Sequence, residues 1–124
     1  MIDSNFLLRA VEEGRDVLAL IDDVLGMPVP KATLGNVLEE LKKLCETEKK
    51  ARKVQTALKL AEKLEILPYT PASSTDEAIV KTSAEGGFAV ATNDLNLRRE
   101  LRAQGIPVIY FKDGYLSVEG YITF

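Results

Sequence analysis

The chain has 124 residues, 46% of them hydrophobic and 28% charged, a balance that suits one globular domain with a real core and excludes a disordered segment. It holds no histidine and a single cysteine, which excludes Cys/His zinc sites and Cys-His nucleophile pairs. A formal net charge of −3 argues against a general polyanion binder, yet a carboxylate site cancelled by bound cations would make the same contribution, so charge alone does not decide.

In chain order, Met1-Ile2-Asp3 reads as a strand stub, and helical sequence runs from Asn5 to about Leu25 with an interruption near Gly14. Met27 to Thr33 is a weak second strand, because Pro28 and Pro30 cannot donate to a ladder. Leu34 to about Glu48 and Glu48 to Leu64 read as two helices, the second placing Val54, Ala57, Leu58, Ala61 and Leu64 three or four residues apart. Cys45 falls among the apolar positions of the first and is expected to be a core thiol. Glu65 to Tyr69 is a short strand, followed by a loop from Thr70 to Thr75 that contains Pro71, Ser73 and Ser74.

The second half has the stronger local grammar. Ser74-Thr75-Asp76-Glu77 is a capping box ahead of a helix that ends at Gly86-Gly87. Phe88 to Thr92 is a buried strand, Asn93-Asp94 caps a helix running to Gln104, and Gly105 closes it before a strand from Pro107 to Phe111. Asp113-Gly114 is a hairpin turn into a terminal strand around Tyr115 to Val118. Repeated strand-helix-strand units predict a mainly parallel sheet covered on both faces, a three-layer α/β/α sandwich, with residues 1–124 as a single domain. No apolar run approaches the roughly 18 residues that span a bilayer, and the start of the chain lacks the basic residues of a signal peptide. A cytoplasmic protein without membrane contact is expected.

Four acids sit where elements begin or end: Asp3, Glu40, Asp76 and Asp94. In a parallel sheet, sites gather at the carboxyl ends of the strands; Asp3 and Asp94 each follow a strand and Asp76 opens the helix after another, so convergence at one rim is compatible with the chain order. Oxygen-rich carboxylate clusters select hard cations such as Mg²⁺ or Mn²⁺, and such ions catalyse phosphodiester hydrolysis without a side-chain base. The plain alternative for Asp76 and Asp94 is helix capping, worth about 0.3–1 kcal/mol. Asp3 has the weakest plain alternative, since a carboxylate ending a buried strand must be solvated, paired or coordinated.

Helical phase separates Glu40 from Glu39. At about 100° per residue, Val37, Leu38, Leu41, Leu44 and Cys45 form one stripe, which leaves Glu39 nearly opposite and Glu40 on its flank, within reach of a cleft. A pair with Lys43 is the alternative for Glu40. Basic residues crowd two regions, Lys42, Lys43, Lys49, Lys50, Arg52, Lys53, Lys59 and Lys63 in one and Arg98, Arg99 and Arg102 in the other, either as solvated faces or as polyanion contacts. Arg98 and Arg102 follow Asp94 by four and eight residues, so one helix face would lead a phosphate backbone towards the acids; an Asp94 to Arg98 pair is the competing reading.

The segments Asp3-Ser4-Asn5-Phe6-Leu7-Leu8, Val37-Leu38-Glu39-Glu40-Leu41-Lys42-Lys43-Leu44, Asp76-Glu77-Ala78-Ile79-Val80 and Ala91-Thr92-Asn93-Asp94-Leu95-Asn96-Leu97 resemble, in order, the four acidic motifs of PIN domains, and Gly105-Ile106-Pro107-Val108-Ile109-Tyr110 extends the likeness. Each motif alone is weak; four in order over nearly the whole chain are strong. The resemblance is closest to archaeal stand-alone PIN proteins related to small-subunit rRNA-processing nucleases. It implies a sheet of order 3-2-1-4-5 and a metal-dependent endoribonuclease, with Asp3, Glu40, Asp76 and Asp94 holding one or two Mg²⁺ or Mn²⁺ ions. Asn5 would orient Asp3, with Thr92 or Asn93 in supporting hydrogen bonds. Asn96 stands where many PIN domains carry a further acid, and it would coordinate without adding charge.

Only Met1 and Ile2 precede Asp3, so the α-amino group would lie about 7 Å along the chain from that carboxylate and compete with a metal for it. Beside the processing nuclease, the resemblance leaves open a VapC-like toxin nuclease with an antitoxin partner and a catalytically silent module that binds RNA or an assembly partner. Homodimers are common in such proteins.

Overall fold

The computed structural model describes residues 1–47 and 51–122; the lysine-rich junction expected at Glu48, Lys49 and Lys50 lies outside them. Six helices and five strands are present among the described residues: α1 (Ser4–Glu13), α2 (Val17–Leu25), β1 (Ala32–Leu34), α3 (Gly35–Thr47), α4 (Ala51–Glu62), β2 (Glu65–Leu67), α5 (Thr75–Gly86), β3 (Val90–Ala91), α6 (Leu95–Ala103), β4 (Val108–Lys112) and β5 (Tyr115–Glu119).

The local signals act where the chain carries them. Gly14 takes the left-handed conformation that ends α1 (φ 65°), Ser74 accepts from the Glu77 amide to start α5, and Asp113 and Gly114 both have positive φ in the β4–β5 hairpin, as a tight turn of the primed kind requires. Three strands are shorter than expected, one of them β2, which stops at Leu67 instead of Tyr69. β1 begins only at Ala32, because Pro28 and Pro30 keep the preceding segment out of the ladder, and β3 keeps only Val90 and Ala91 of the Phe88 to Thr92 run.

β1 pairs with β2 in parallel, β3 pairs with β4 in parallel, and β4 with β5 antiparallel. The N-terminal stub joins the two halves. Ile2 donates to the Ala32 carbonyl (2.8 Å) on one side, while Asp3 donates to Ala91 (3.0 Å) and Ala91 to Met1 (2.8 Å) on the other. Ile2 forms the parallel bridge to Ala91, and its own carbonyl also accepts from the Thr33 hydroxyl at 2.8 Å. Counting the stub as strand one, the parallel strands stand in the order 3-2-1-4-5, with β5 added at the far edge. The result is the α/β/α arrangement. Two residues suffice for a central strand because both edges are hydrogen-bonded and both side chains are buried.

Burial of Phe6, Leu7, Leu34, Val37, Leu41, Ile79, Leu97 and Leu101 closes the helices onto the sheet, and Phe6 stacks on Phe111 with ring centroids 5.2 Å apart. Cys45 is half-buried, free and packed against this core. No helix among the described residues is long and apolar enough to cross a membrane.

Candidate active site

Asp3 ends the stub and caps α1, which places its carboxylate at the carboxyl edge of the central strand. The residue is 3% exposed, and three donors hold its carboxylate: the Ser4 amide (2.8 Å), the Asn5 side-chain amide (2.9 Å) and the Thr92 hydroxyl (2.8 Å). Among the described residues no cation pairs with it. Burial pushes its pKa from 3.8 to about 6 against the pull of those hydrogen bonds, and the charges of Glu40 and Asp76 push the same way.

Glu40 reaches this centre from α3. It accepts a short hydrogen bond from the Ser4 hydroxyl and makes no ion pair with Lys43. Glu39 is exposed and lies 3.8 Å from Lys42, the outcome that the helical phase demands. Asp76 stands half-buried in the first turn of α5, where burial raises its pKa, followed by repulsion from Asp94, Glu40 and Glu100. Asp94 caps α6, its Oδ1 accepting from the Leu97 amide at 3.0 Å. Asp94 is therefore a cap, and one oxygen of its carboxylate is spent on capping; the other accepts no hydrogen bond among the described residues.

Thr92 is the joint between the two strand ends. Fully buried, its hydroxyl donates to Asp3 and accepts from the Asp94 amide at 3.2 Å, while Asn5 Oδ1 accepts from the Asn93 amide at 2.9 Å. The Asn93 side chain turns away from Asp3 and clasps the Phe111 backbone, donating to its carbonyl (3.2 Å) and accepting from its amide (3.0 Å). Asn96 is exposed in the first turn of α6.

Three expectations meet new contacts in the structure. The Met1 amino group, in place of competing at Asp3, is buried and donates to the Ala89 carbonyl at 3.0 Å; desolvation lowers its pKa to about 5. The stub runs away from the carboxylate, so the amine emerges at the opposite end of the strand. Arg98 and Arg102 are engaged inside the chain, which does not favour a phosphate-guiding role. Arg98 lies 4.0 Å from the centroid of Tyr110 with Nε 3.7 Å from Glu119, and Arg102 donates to the Ile106 carbonyl at 3.2 Å. The half-buried face that they share packs towards β4 and β5, and Arg98 pairs with Glu119 where Asp94 was the competing partner.

Sequence reasoning passed over two residues. Ser4 adjoins Asp3 and its position was legible, but its link to a glutamate 36 residues away is a tertiary contact without a local signal. Glu100 adds a fifth negative charge near Asp76 because α5 and α6 pack together. Among the described residues no three of these acids lie close enough, as they stand, to share one ion. The donor set nevertheless fits a hard divalent cation: every candidate ligand atom is oxygen, Glu40 and Asp76 raise the pKa of Asp3 as Asp94 and Glu40 raise that of Asp76, and among the described residues no lysine or arginine pairs with the four acids.

A family model described as a PIN-like domain matches residues 1–113. Among solved structures, the chain is similar to that of the PIN domain endonuclease Utp24, with 28% sequence identity, 98% of this chain and 90% of that one covered, and a TM-score of 0.82. No curated protein matches it.

Proposed function

Because this chain belongs to the PIN-like domain family, we propose that it is a nuclease of the PIN type whose reaction centre is built from Asp3, Glu40, Asp76 and Asp94. The observation that carries the reading is the set of mutually repelling carboxylates at the strand ends, with two raised pKa values and no side-chain cation among the described residues to offset them. Carboxylates at such a rim cost stability and invite a divalent ion.

Mg²⁺ or Mn²⁺ held by these four side chains would supply an activated water and offset charge on the scissile phosphate and its leaving oxygen. The chain's own part is positioning. Thr92 and Asn5 fix Asp3 in one rotamer, Ser4 draws Glu40 to the same edge, and the caps of α5 and α6 anchor the backbones that carry Asp76 and Asp94. The substrate we assign is RNA cut internally, an assignment supported by the likeness to a PIN domain endonuclease and by motifs that resemble rRNA-processing PIN proteins. Pre-rRNA is the target class to try first.

The test is cleavage of single-stranded and looped RNA by the purified chain. Mn²⁺ or Mg²⁺ should support it and a chelator should abolish it, while the same ions should raise the melting temperature in the absence of RNA. Cleavage that persists in excess chelator would sink the metal-dependent reading.

A further inference from the structure

Beside the carboxylates lies a cavity of about 210 Å³ that shares only Glu40 with the proposed reaction centre. Glu40 is a wall common to both; from there the cavity runs past Asn36, Lys43 and Tyr69 to the segment leading into Asp76. Tyr69, just after β2, is 59% exposed, yet the backbone beneath it is pinned. Buried Asn36 grips the next residue from both sides, donating to the Thr70 carbonyl and accepting from its amide, each at 2.8 Å, and the Thr70 hydroxyl meets that of Thr82 at 3.2 Å. Gly35 supplies the clearance, since a Cβ there would stand 2.8 Å from the Tyr69 backbone nitrogen. A large aromatic side chain left outside the core on a clamped loop is a preorganised platform. Lys43 is exposed on the same cavity and pairs with no acid among the described residues, whereas Lys42 lies beside Glu39.

We propose that this cavity is a nucleotide subsite, in which Tyr69 stacks on the base of a nucleotide flanking the scissile phosphate and Lys43 contacts that nucleotide's phosphate. The proposal rests on the RNA nuclease reading above. Every base presents a π-face to an aromatic side chain, so stacking of this kind holds single strands without demanding a sequence. Charge sets the orientation. Glu39 on one wall repels a phosphate and accepts from the N–H groups of a base, which sends the base inward and leaves the phosphate with Lys43. Apart from Tyr69 and Ala72 the named walls are polar, which suits a heteroaromatic base better than the apolar anchor of a protein partner.

The test uses the full chain carrying Asp94→Asn, so that RNA stays intact with Mg²⁺ present, and a short single-stranded RNA oligonucleotide containing 2-aminopurine. Adding Tyr69→Ala should weaken RNA binding by about 5- to 100-fold and abolish quenching of the 2-aminopurine, whereas Tyr69→Phe should keep affinity within about twofold and retain the quenching. Lys43→Ala should reduce the slope of log affinity against log salt by about 0.7. Melting temperatures of the variants serve as the folding control, and exposed Tyr69 should be removable without unfolding. If Tyr69→Ala binds as tightly as its parent, the subsite is overturned while the carboxylate reading stands. A parent chain that binds no RNA overturns both, and in that case RNA cleavage by the unmodified chain fails as well.

Discussion

Asp3 is a carboxylate that the fold keeps at a cost. Its pKa is raised from 3.8 to about 6, so below about pH 4 it is protonated in both folded and unfolded states and costs nothing. Between about pH 4 and 6 the unfolded chain ionises first, and above 6 the full penalty, on the order of 3 kcal/mol, is in place. Metal-free protein should therefore lose stability from this group as pH rises through that window, and Mg²⁺ should restore more of it at pH 7.5 than at pH 4. Urea midpoints measured with and without the ion check this; equal stabilisation at both pH values would contradict it. Thr92→Val removes the buried hydroxyl that orients Asp3 and should cost roughly 10- to 100-fold in metal affinity, as titration calorimetry would read. At this scale the sequence was partly legible. Periodicity told Glu40 from Glu39 because a helix has a fixed phase, but nothing local reveals that Ser4 holds Glu40 or that Asn93 serves the Phe111 backbone.

Elements announce their ends more clearly than their neighbours. Gly14, Ser74, Asp94 and Asp113-Gly114 all mark boundaries where the structure puts them, since capping and turn chemistry act within a few residues. Strand lengths were less legible, because pairing partners decide them. The arginine face of α6 was only half legible for the same reason: four-residue spacing shows that Arg98 and Arg102 share a face, but not that Tyr110 and Glu119 lie against Arg98. Arg98→Ala should destabilise the fold by about 1 kcal/mol through loss of the cation-π contact and its partner charge, with RNA affinity unchanged. Denaturant midpoints and a binding isotherm measure the two effects separately, and a large loss of RNA affinity would return this face to the substrate path. Gly35→Ala drives a Cβ against the Tyr69 backbone and should cost about 1–3 kcal/mol, visible as a lower melting temperature.

Across the whole molecule, the stub decides whether the two halves of the sheet act as one. Ile2, Asp3 and Ala91 donate across the join, so their amides should rank among the slowest in hydrogen exchange and open only on global unfolding; early exchange there would mean that the halves part before the core melts. That join also sets Asp3 between the strand ends that lead to Glu40 and Asp94, which ties the sheet order to the chemistry. The most direct test of that chemistry is RNA cleavage by wild type and Asp94→Asn at saturating Mn²⁺. Asparagine keeps the N-cap and so the fold, and activity should fall by more than the roughly 10- to 100-fold that a supporting hydrogen bond is worth, with an unchanged melting temperature in metal-free buffer. Full activity in Asp94→Asn would mean that the carboxylate only caps α6, and the reaction centre described above would be contradicted.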